Sequence, residues 1–410
     1  MSQKRSAGDA VRSRGGLVSL GAVLLVLSLA LAACGDDEGG SANTAEGCPE
    51  GTSADGQVCL ADSDSEAQQL LGIIEGKLTE DDLRAVVLGV QRGDQVLALG
   101  AVGDATTGVP ATREDHYTVG NISAGFLTTA LLLLVEDGKL ALDDPLSNWF
   151  PDLPKAERIT VEMLASSTSG YPHFPDNPDF VKKLYADPYR AWTADQLIPY
   201  GTDDGTEFPP GKSWLFADTN LVILGQILEE IEGKSLGKII EQRILDPLEL
   251  DETESRLNPE LRDPALHGFT TERGVYEDAT NWNPTWNIHS GSMASTLDDL
   301  MRWAPALGTG ELLTPESYDV MTAPSTVGKG PMTEDLYYTF GIGVSEGWII
   351  TNPSLQGYTQ ILAYLPDEEL TVVLAATKNR GADPDTHFAT EIFLALAEQL
   401  TPQAIPPLSR

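Results

Sequence analysis

Basic residues are scarce in this chain: 26 lysines and arginines stand against 62 aspartates and glutamates, a formal net charge of -36 over 410 residues. The imbalance grows once the first 33 residues are set aside. They hold four of the cations (Lys4, Arg5, Arg12 and Arg14) and one acid (Asp9), leaving 22 basic and 61 acidic residues, a net -39. Phosphate backbones are bound through lysines and arginines that release counterions, so nucleic acid is excluded as a partner. An anionic bilayer face repels such a surface too; the excess acid reads as a solvated, solubilising exterior. Cysteine and histidine are also rare, at three and five. His116, His173, His267 and His387 show no metal-ligand spacing, and two thiols without a nearby histidine fall short of a zinc ligand set. No metal or cofactor is implied.

Long apolar runs are absent but for one. Residues 1–16 are polar and basic, Leu17 to Ala33 almost wholly apolar, and the stretch ends Leu31-Ala32-Ala33-Cys34-Gly35. A basic start, a short apolar run and small residues before the cut describe a secretory signal. Cysteine directly after Leu-Ala-Ala resembles the lipobox of bacterial lipoproteins. That resemblance implies lipidation of Cys34 and a mature chain tethered to a membrane outside the cytoplasm. Residues 34–68 are rich in Gly, Asp, Glu and Ser and read as a flexible acidic tether. Cys48 and Cys59 within it form an even pair in an exported protein, which reads as a disulfide closing a small loop.

From residue 69 the pattern is that of a packed domain. Two apolar runs, 85–91 and 95–102, flank the turn signal Arg92-Gly93-Asp94 and read as an antiparallel hairpin. Then comes Gly120 to Pro145, GNISAGFLTTALLLLVEDGKLALDDP, the stretch around which the rest is organised. Leu127, Ala130, Leu131, Leu134 and Val135 recur at helical spacing, and Leu131 to Leu134 make the helix apolar nearly all round, as in a buried helix. Gly138 supplies the stop. A mostly helical, Pro-interrupted region spans about 155–290, including a helix near 219–233. Ser295 or Thr296 is positioned to cap a further helix, with Asp298 and Asp299 in its first turn. Short strands within 341–377 and a final helix from about 385 to 400 close the chain. The expected architecture is α/β (α+β): an antiparallel sheet with helices on its faces and a mostly helical subdomain.

From Leu83 to Leu400 the order of elements and several phrases resemble the serine β-lactamase and D-alanyl-D-alanine carboxypeptidase superfamily, closest to its class C β-lactamase and esterase-like branch. The phrases are Glu136-Asp137-Gly138-Lys139-Leu140 with Leu142-Asp143-Asp144-Pro145, Ile159-Thr160, Thr168-Ser169-Gly170, Pro209-Pro210-Gly211, Thr219-Asn220 and Ser295-Thr296-x-x-Asp299-Leu300. The resemblance implies acyl transfer: a helix-borne Ser-x-x-Lys in which the lysine one turn on manages the proton of the attacking serine, a Tyr-x-Asn with a phenolic base, and a Lys/His-Thr/Ser-Gly strand for the substrate carboxylate. The same register places Asn121 and Ala124 at the first motif, Phe216 and Asp218 at the second, and Thr351-Asn352-Pro353 at the third.

Each reactive group is therefore replaced. An amide at 121 cannot form the acyl-enzyme, Ala124 has no amine, and Phe216 has no oxygen; removing one member of such a unit costs on the order of 10⁴–10⁶ in rate. No Tyr-x-Asn occurs anywhere. Ser235-Leu236-Gly237-Lys238 is a literal Ser-x-x-Lys but starts a later helix, and His289-Ser290-Gly291 precedes a helix, not a strand. Ser123 lies two residues past the nucleophile position, rotated roughly 200° around the helix. The expectation is a lipid-anchored β-lactamase-related protein of the cell envelope that has lost acyl transfer, with a cleft lined by Asn121, Phe216, Asp218 and Thr351 for a peptide or peptidoglycan fragment, or serving as a scaffold. The alternative is an active serine hydrolase (β-lactamase, D,D-carboxypeptidase or esterase) with a non-standard nucleophile.

Overall fold

The computed structural model describes residues 47–62 and 64–408; the signal-like segment and Cys34 lie outside the described residues. In chain order the principal elements are β1 (Thr52–Asp55), β2 (Val58–Ala61), α1 (Ser65–Glu80), β3 (Leu83–Arg92), β4 (Gln95–Thr106), α2 (Ser123–Glu136), α3 (Asp218–Glu232), α4 (Leu297–Thr309), β5 (Leu336–Thr339), β6 (Ile342–Ser345), β7 (Trp348–Thr351), β8 (Tyr358–Leu365), β9 (Leu370–Lys378) and α5 (Phe388–Leu400). The strands form one antiparallel sheet in the order β1-β2-β4-β3-β9-β8-β7-β6-β5, with the two-residue strands Val109–Pro110 and Ser354–Leu355 pairing to β4 and β8.

The central strands read as unbroken apolar runs because both their faces are covered. Val86, Leu88 and Val90 pack under α1 and α5, beside Leu70, Ile74, Phe393 and Leu396. Ala85 and Val87, pointing the other way, join the core built on α2 and α4. Gly89, paired with Val373, shows how tightly α4 lies on that face: a Cβ there would meet Met301 Sδ at 2.3 Å. A β-bulge between Val90 and Gln91 bends the β3–β4 hairpin just before its turn.

Residues 52–68 differ from the tether expected of them. Val58, Cys59 and Leu60 are buried, β2 pairs with β4, and Asp64 caps α1 by accepting from the Glu66 N–H at 2.8 Å. The sheet thus begins before residue 69. Val58–Ala61 is a run of four small or apolar side chains, and Ala67, Leu70, Leu71 and Ile74 follow at helical spacing, but Gly, Asp and Ser around them mask both signals. Cys48 and Cys59 are disulfide-bonded, their Cα atoms 5.5 Å apart.

Ahead of α4, Thr296 occupies the N-cap position without a side-chain capping bond. Ser295 Oγ pairs instead with Thr253 Oγ1 at 2.8 Å, and Asp299 accepts from the Glu252 N–H and the Thr253 hydroxyl. These groups tie the helical region to the sheet domain. That region holds the helices Val161–Ala165, Pro178–Ala186, Ala194–Leu197 and α3, with a small strand pair, Phe269–Thr270 and Glu277–Asp278.

Candidate functional site

The organising stretch enters through a 3₁₀ turn, Gly120–Ile122, before α2 begins at Ser123. Gly120 has φ +53°, and a Cβ would sit 2.9 Å from Pro353 Cβ, so only glycine lets the turn approach the strand end. Ser123 donates to the Gly120 carbonyl at 2.7 Å, buried inside the turn. Further along, Phe126 stacks on Trp303 of α4 at 4.0 Å, and Thr128 donates to the Phe340 carbonyl at 2.8 Å. At Gly341, a Cβ would lie 2.7 Å from the Ala124 carbonyl, so the β5–β6 connection is drawn against the first turn of α2. A helix apolar on every side is thereby fixed in direction, and its first residues are aimed into a cleft.

Asn121, Ala124, Phe216, Asp218 and Thr351 all line that cleft, which has a volume of ≈ 550 Å³. Asn121 donates its amide to Asp218 Oδ1 at 2.8 Å and to the Ser290 carbonyl at 3.2 Å. Both hydrogens of that amide nitrogen are committed. Asp218 opens α3 and is 3% exposed. Burial pushes its carboxyl above the ordinary range, against the pull of His173 and of the hydrogen bond from the Asn121 amide. The Asp218 backbone N–H, one of the orphan donors at the helix start, is met by His173 Nδ1 at 3.1 Å.

The third motif position is held from behind. Thr351 ends β7, and its hydroxyl is buried with no protein partner. His387 Nε2 lies 3.0 and 3.1 Å from the Asn352 and Pro353 carbonyls, while its Nδ1 accepts from the Thr390 N–H at the start of α5. Both ring nitrogens are occupied, and burial pushes the imidazole down toward its neutral form. His387 thus pins the strand end to the last helix.

Sequence reasoning missed Tyr338, Trp214 and Ser290. Tyr338, on β5, lies edge-on to Phe216 at 5.9 Å and 5.5 Å from Trp214, and His173 continues the row at 5.6 Å from Phe216. Trp214 Nε1 is buried without a protein partner, and the Tyr338 hydroxyl is buried beside Ser167. Burial raises the Tyr338 phenol well above its usual value, with the nearby Asp218 carboxyl adding to the rise, so it stays protonated and offers no base at neutral pH. The aromatic pair Tyr337-Tyr338 just ahead of Phe340-Gly341 was the available signal, but nothing in its spacing says which side faces the cleft.

The literal motifs lie elsewhere. Ser235 caps the helix Leu236–Ile240, and Lys238 pairs with Glu241 at 2.5 Å. Both line a second cavity of ≈ 400 Å³ together with His289. His289, at φ +69° and 7% exposed, lies against Gly225, with Nε2 3.0 Å from Gln226 Nε2. Its neighbour Ser290 gives the cleft a backbone carbonyl, while the Ser290 hydroxyl donates to Asn287 Oδ1. Among the described residues no cluster of three or more His, Cys, Asp or Glu is arranged to hold a metal ion.

An antiparallel sheet with an embedded helix aimed at a cleft beside a helical subdomain defines the serine β-lactamase and transpeptidase fold. The chain matches the beta-lactamase family over residues 71–397, and it belongs to that family. Penicillin-binding protein 4* of Bacillus subtilis (strain 168) is 24% identical over 314 residues, covering 70% of this chain and 65% of that protein. A putative penicillin-binding protein of the same strain, PbpX, is 27% identical over 255 residues, covering 60% of this chain and 61% of its own length. The matches therefore span somewhat less than two thirds of these relatives. Among solved structures, the D-amino acid amidase of Ochrobactrum anthropi SV3 complexed with L-phenylalanine amide superposes with a TM-score of 0.71 at 20% identity, covering 82% of this chain and 97% of that one. A D-stereospecific amidohydrolase from Streptomyces sp. gives 0.70 at 24% identity, covering 83% and 99%. At these identities the likeness establishes the fold.

Proposed function

We propose that this family member no longer performs acyl transfer and uses its cleft to bind a peptide or cell-wall fragment at the outer face of a membrane, anchored through lipidated Cys34. One observation carries the reading. The group at the nucleophile position is an amide whose hydrogens are committed to Asp218 and the Ser290 carbonyl. Nothing nearby replaces the lost chemistry: Ala124 brings no amine, Phe216 no oxygen, and the Tyr338 phenol is held protonated. Of the other hydroxyls lining the cleft, Ser345 donates to the Asp335 carbonyl at 2.8 Å and Tyr337 to the Thr322 carbonyl at 3.0 Å.

The size of the cleft supports binding over a purely structural role, since a ligand-sized cavity walled by aromatics is what small-molecule sites use. The lipid anchor rests on the basic start, the Leu17–Ala33 run and Cys34. The names of the relatives and neighbours point to penicillins and to D-amino acid amides as ligand families to try beside the cell-wall fragments. The test is calorimetric titration with a disaccharide-peptide muropeptide, followed by mass analysis of the ligand. Saturable binding with the ligand recovered intact is expected; a hydrolysed ligand would overturn the non-catalytic reading.

A further inference from the structure

Ser235, Lys238 and His289, which do not line the cleft, meet at the second cavity of ≈ 400 Å³. The helix Leu236–Ile240 packs hard against the short strand Glu254–Ser255, since a Cβ on Gly237 would lie 2.8 Å from Ser255 Cβ. The helix then widens into a π turn, Glu241–Leu245, whose first and last residues both line the cavity. Such turns are rare and are frequent at functional sites. Leu257 and Ile288 extend the apolar flank begun by Leu245, and Leu257 is 54% exposed.

His289 supplies a buried polar group with one side unused. Gln226 Nε2 donates to Glu229 Oε2 at 2.7 Å, which fixes the direction of that amide, and lies 3.0 Å from His289 Nε2. His289 Nε2 therefore accepts, and the ring, held neutral by burial, carries its proton on Nδ1. A Cβ on Gly225 would meet His289 Cγ, Cβ and Cδ2 at 2.4, 2.6 and 2.7 Å, so the Cδ2 edge lies against α3 and the Nδ1 edge is turned away from it. Nδ1 has no hydrogen-bond partner among the described residues, although His289 is more than nine-tenths buried. A buried donor left unpaired is costly, so this N–H calls for an acceptor from whatever fills the cavity. Charge sets the other requirement. Glu229, Glu241 and Glu254 line the cavity against a single ammonium, Lys238. Glu241 pairs with Lys238, and Glu229 accepts from the Leu236 N–H and from Gln226, which leaves Glu254 without an ion pair among the described residues. The net charge of -36 adds a field of the same sign. We infer that this cavity is a second ligand site, separate from the cleft, for small amines that carry an apolar body and an adjacent hydroxyl or carbonyl oxygen. The ammonium lies toward Glu254, the oxygen accepts from His289 Nδ1–H, and the apolar body packs on Leu245, Leu257 and Ile288.

Leucinol joins the three features in one small molecule. The test titrates it into the full chain at pH 7 and follows the ring nitrogen signals of the histidines by NMR. Saturable shifts at His289, with the signals of His173 in the cleft unmoved, are expected. The N-acetyl derivative, which has lost the charge, and the same amine without its hydroxyl are each expected to bind about tenfold more weakly. Glu254→Gln, a change at an exposed position, is expected to weaken leucinol about threefold. No shift at His289, shifts at His173 alone, unchanged affinity in Glu254→Gln, or equal binding by either altered amine overturns the inference. All of these outcomes leave the reading of the cleft as it stands, because the two cavities share no lining residue.

Discussion

The bond between Asn121 and Asp218 joins two of the positions that line the cleft, and its worth is open to measurement. Asn121→Ala removes the donor at 2.8 Å to Asp218 Oδ1 and the one at 3.2 Å to the Ser290 carbonyl. A buried acceptor that loses its partner costs about 1–3 kcal/mol. Asn121 is half-buried at the cleft wall, where water can take over part of the deficit, so the expected loss for the single variant is about 1–3 kcal/mol in total. Asp218→Ala removes the acceptor and also a carboxyl whose ionised form is disfavoured by burial. The double-mutant cycle isolates what the two share, expected at about 1 kcal/mol. Asp218→Asn adds a sign. A carboxyl raised above 3.8 in the fold binds its proton more tightly there than in the unfolded chain, so the fold loses stability as pH climbs through that interval. The asparagine variant should therefore gain on the parent at pH 7 and not at pH 3. Denaturant unfolding of the five proteins (parent, the two alanine variants, their double and Asp218→Asn) at both pH values is the assay. Additivity of Asn121→Ala and Asp218→Ala within about 0.3 kcal/mol, together with a parental pH profile in Asp218→Asn, would refute the account of this pair.

Two further outcomes follow from the same geometry. His289 is held down to about 4 by burial, against 6.5 for a free imidazole, so between those values the unfolded chain takes up a proton that the fold refuses. Stability should fall by about 3 kcal/mol as pH drops from 6.5 to 4, and His289→Asn, which tolerates the positive φ, should flatten that slope; an unchanged slope in denaturant titrations at stepped pH would count against a neutral buried His289. Joint installation of Asn121→Ser, Ala124→Lys and Phe216→Tyr should raise hydrolysis of an activated ester about tenfold or more over the parent, while each single change stays at background, because members of such a unit act together. A single change giving as much activity as all three would contradict the register.

Much of this was legible in the residues because packing and chemistry leave different traces. The hairpin, the all-apolar helix and its stop at Gly138 follow from periodicity and turn chemistry, and phrases such as Pro209-Pro210-Gly211 and Thr219-Asn220 set the register at positions 216 and 218. The structure brings Asn121, Ala124, Phe216, Asp218 and Thr351 to one cavity. What stayed hidden depends on long-range pairing. The strand Val58–Ala61 is stabilised by its partner in β4, 38 or more residues on, and the residues that flank it are turn formers. Tyr338 meets Phe216 across about 120 residues of intervening chain, and the Ser290 carbonyl is a backbone group, for which no side-chain pattern exists. The His387 clasp on Asn352 and Pro353 is of the same kind: a lone histidine at a helix start shows its capping role locally, while its second partner comes from another strand.

The central claim is that a chain of this family carries no serine able to form an acyl-enzyme. Intact-mass measurement after prolonged incubation with a penicillin and with a fluorophosphonate tests it directly. The account predicts a mass unchanged by either reagent; a stoichiometric adduct mapped to a serine would contradict it.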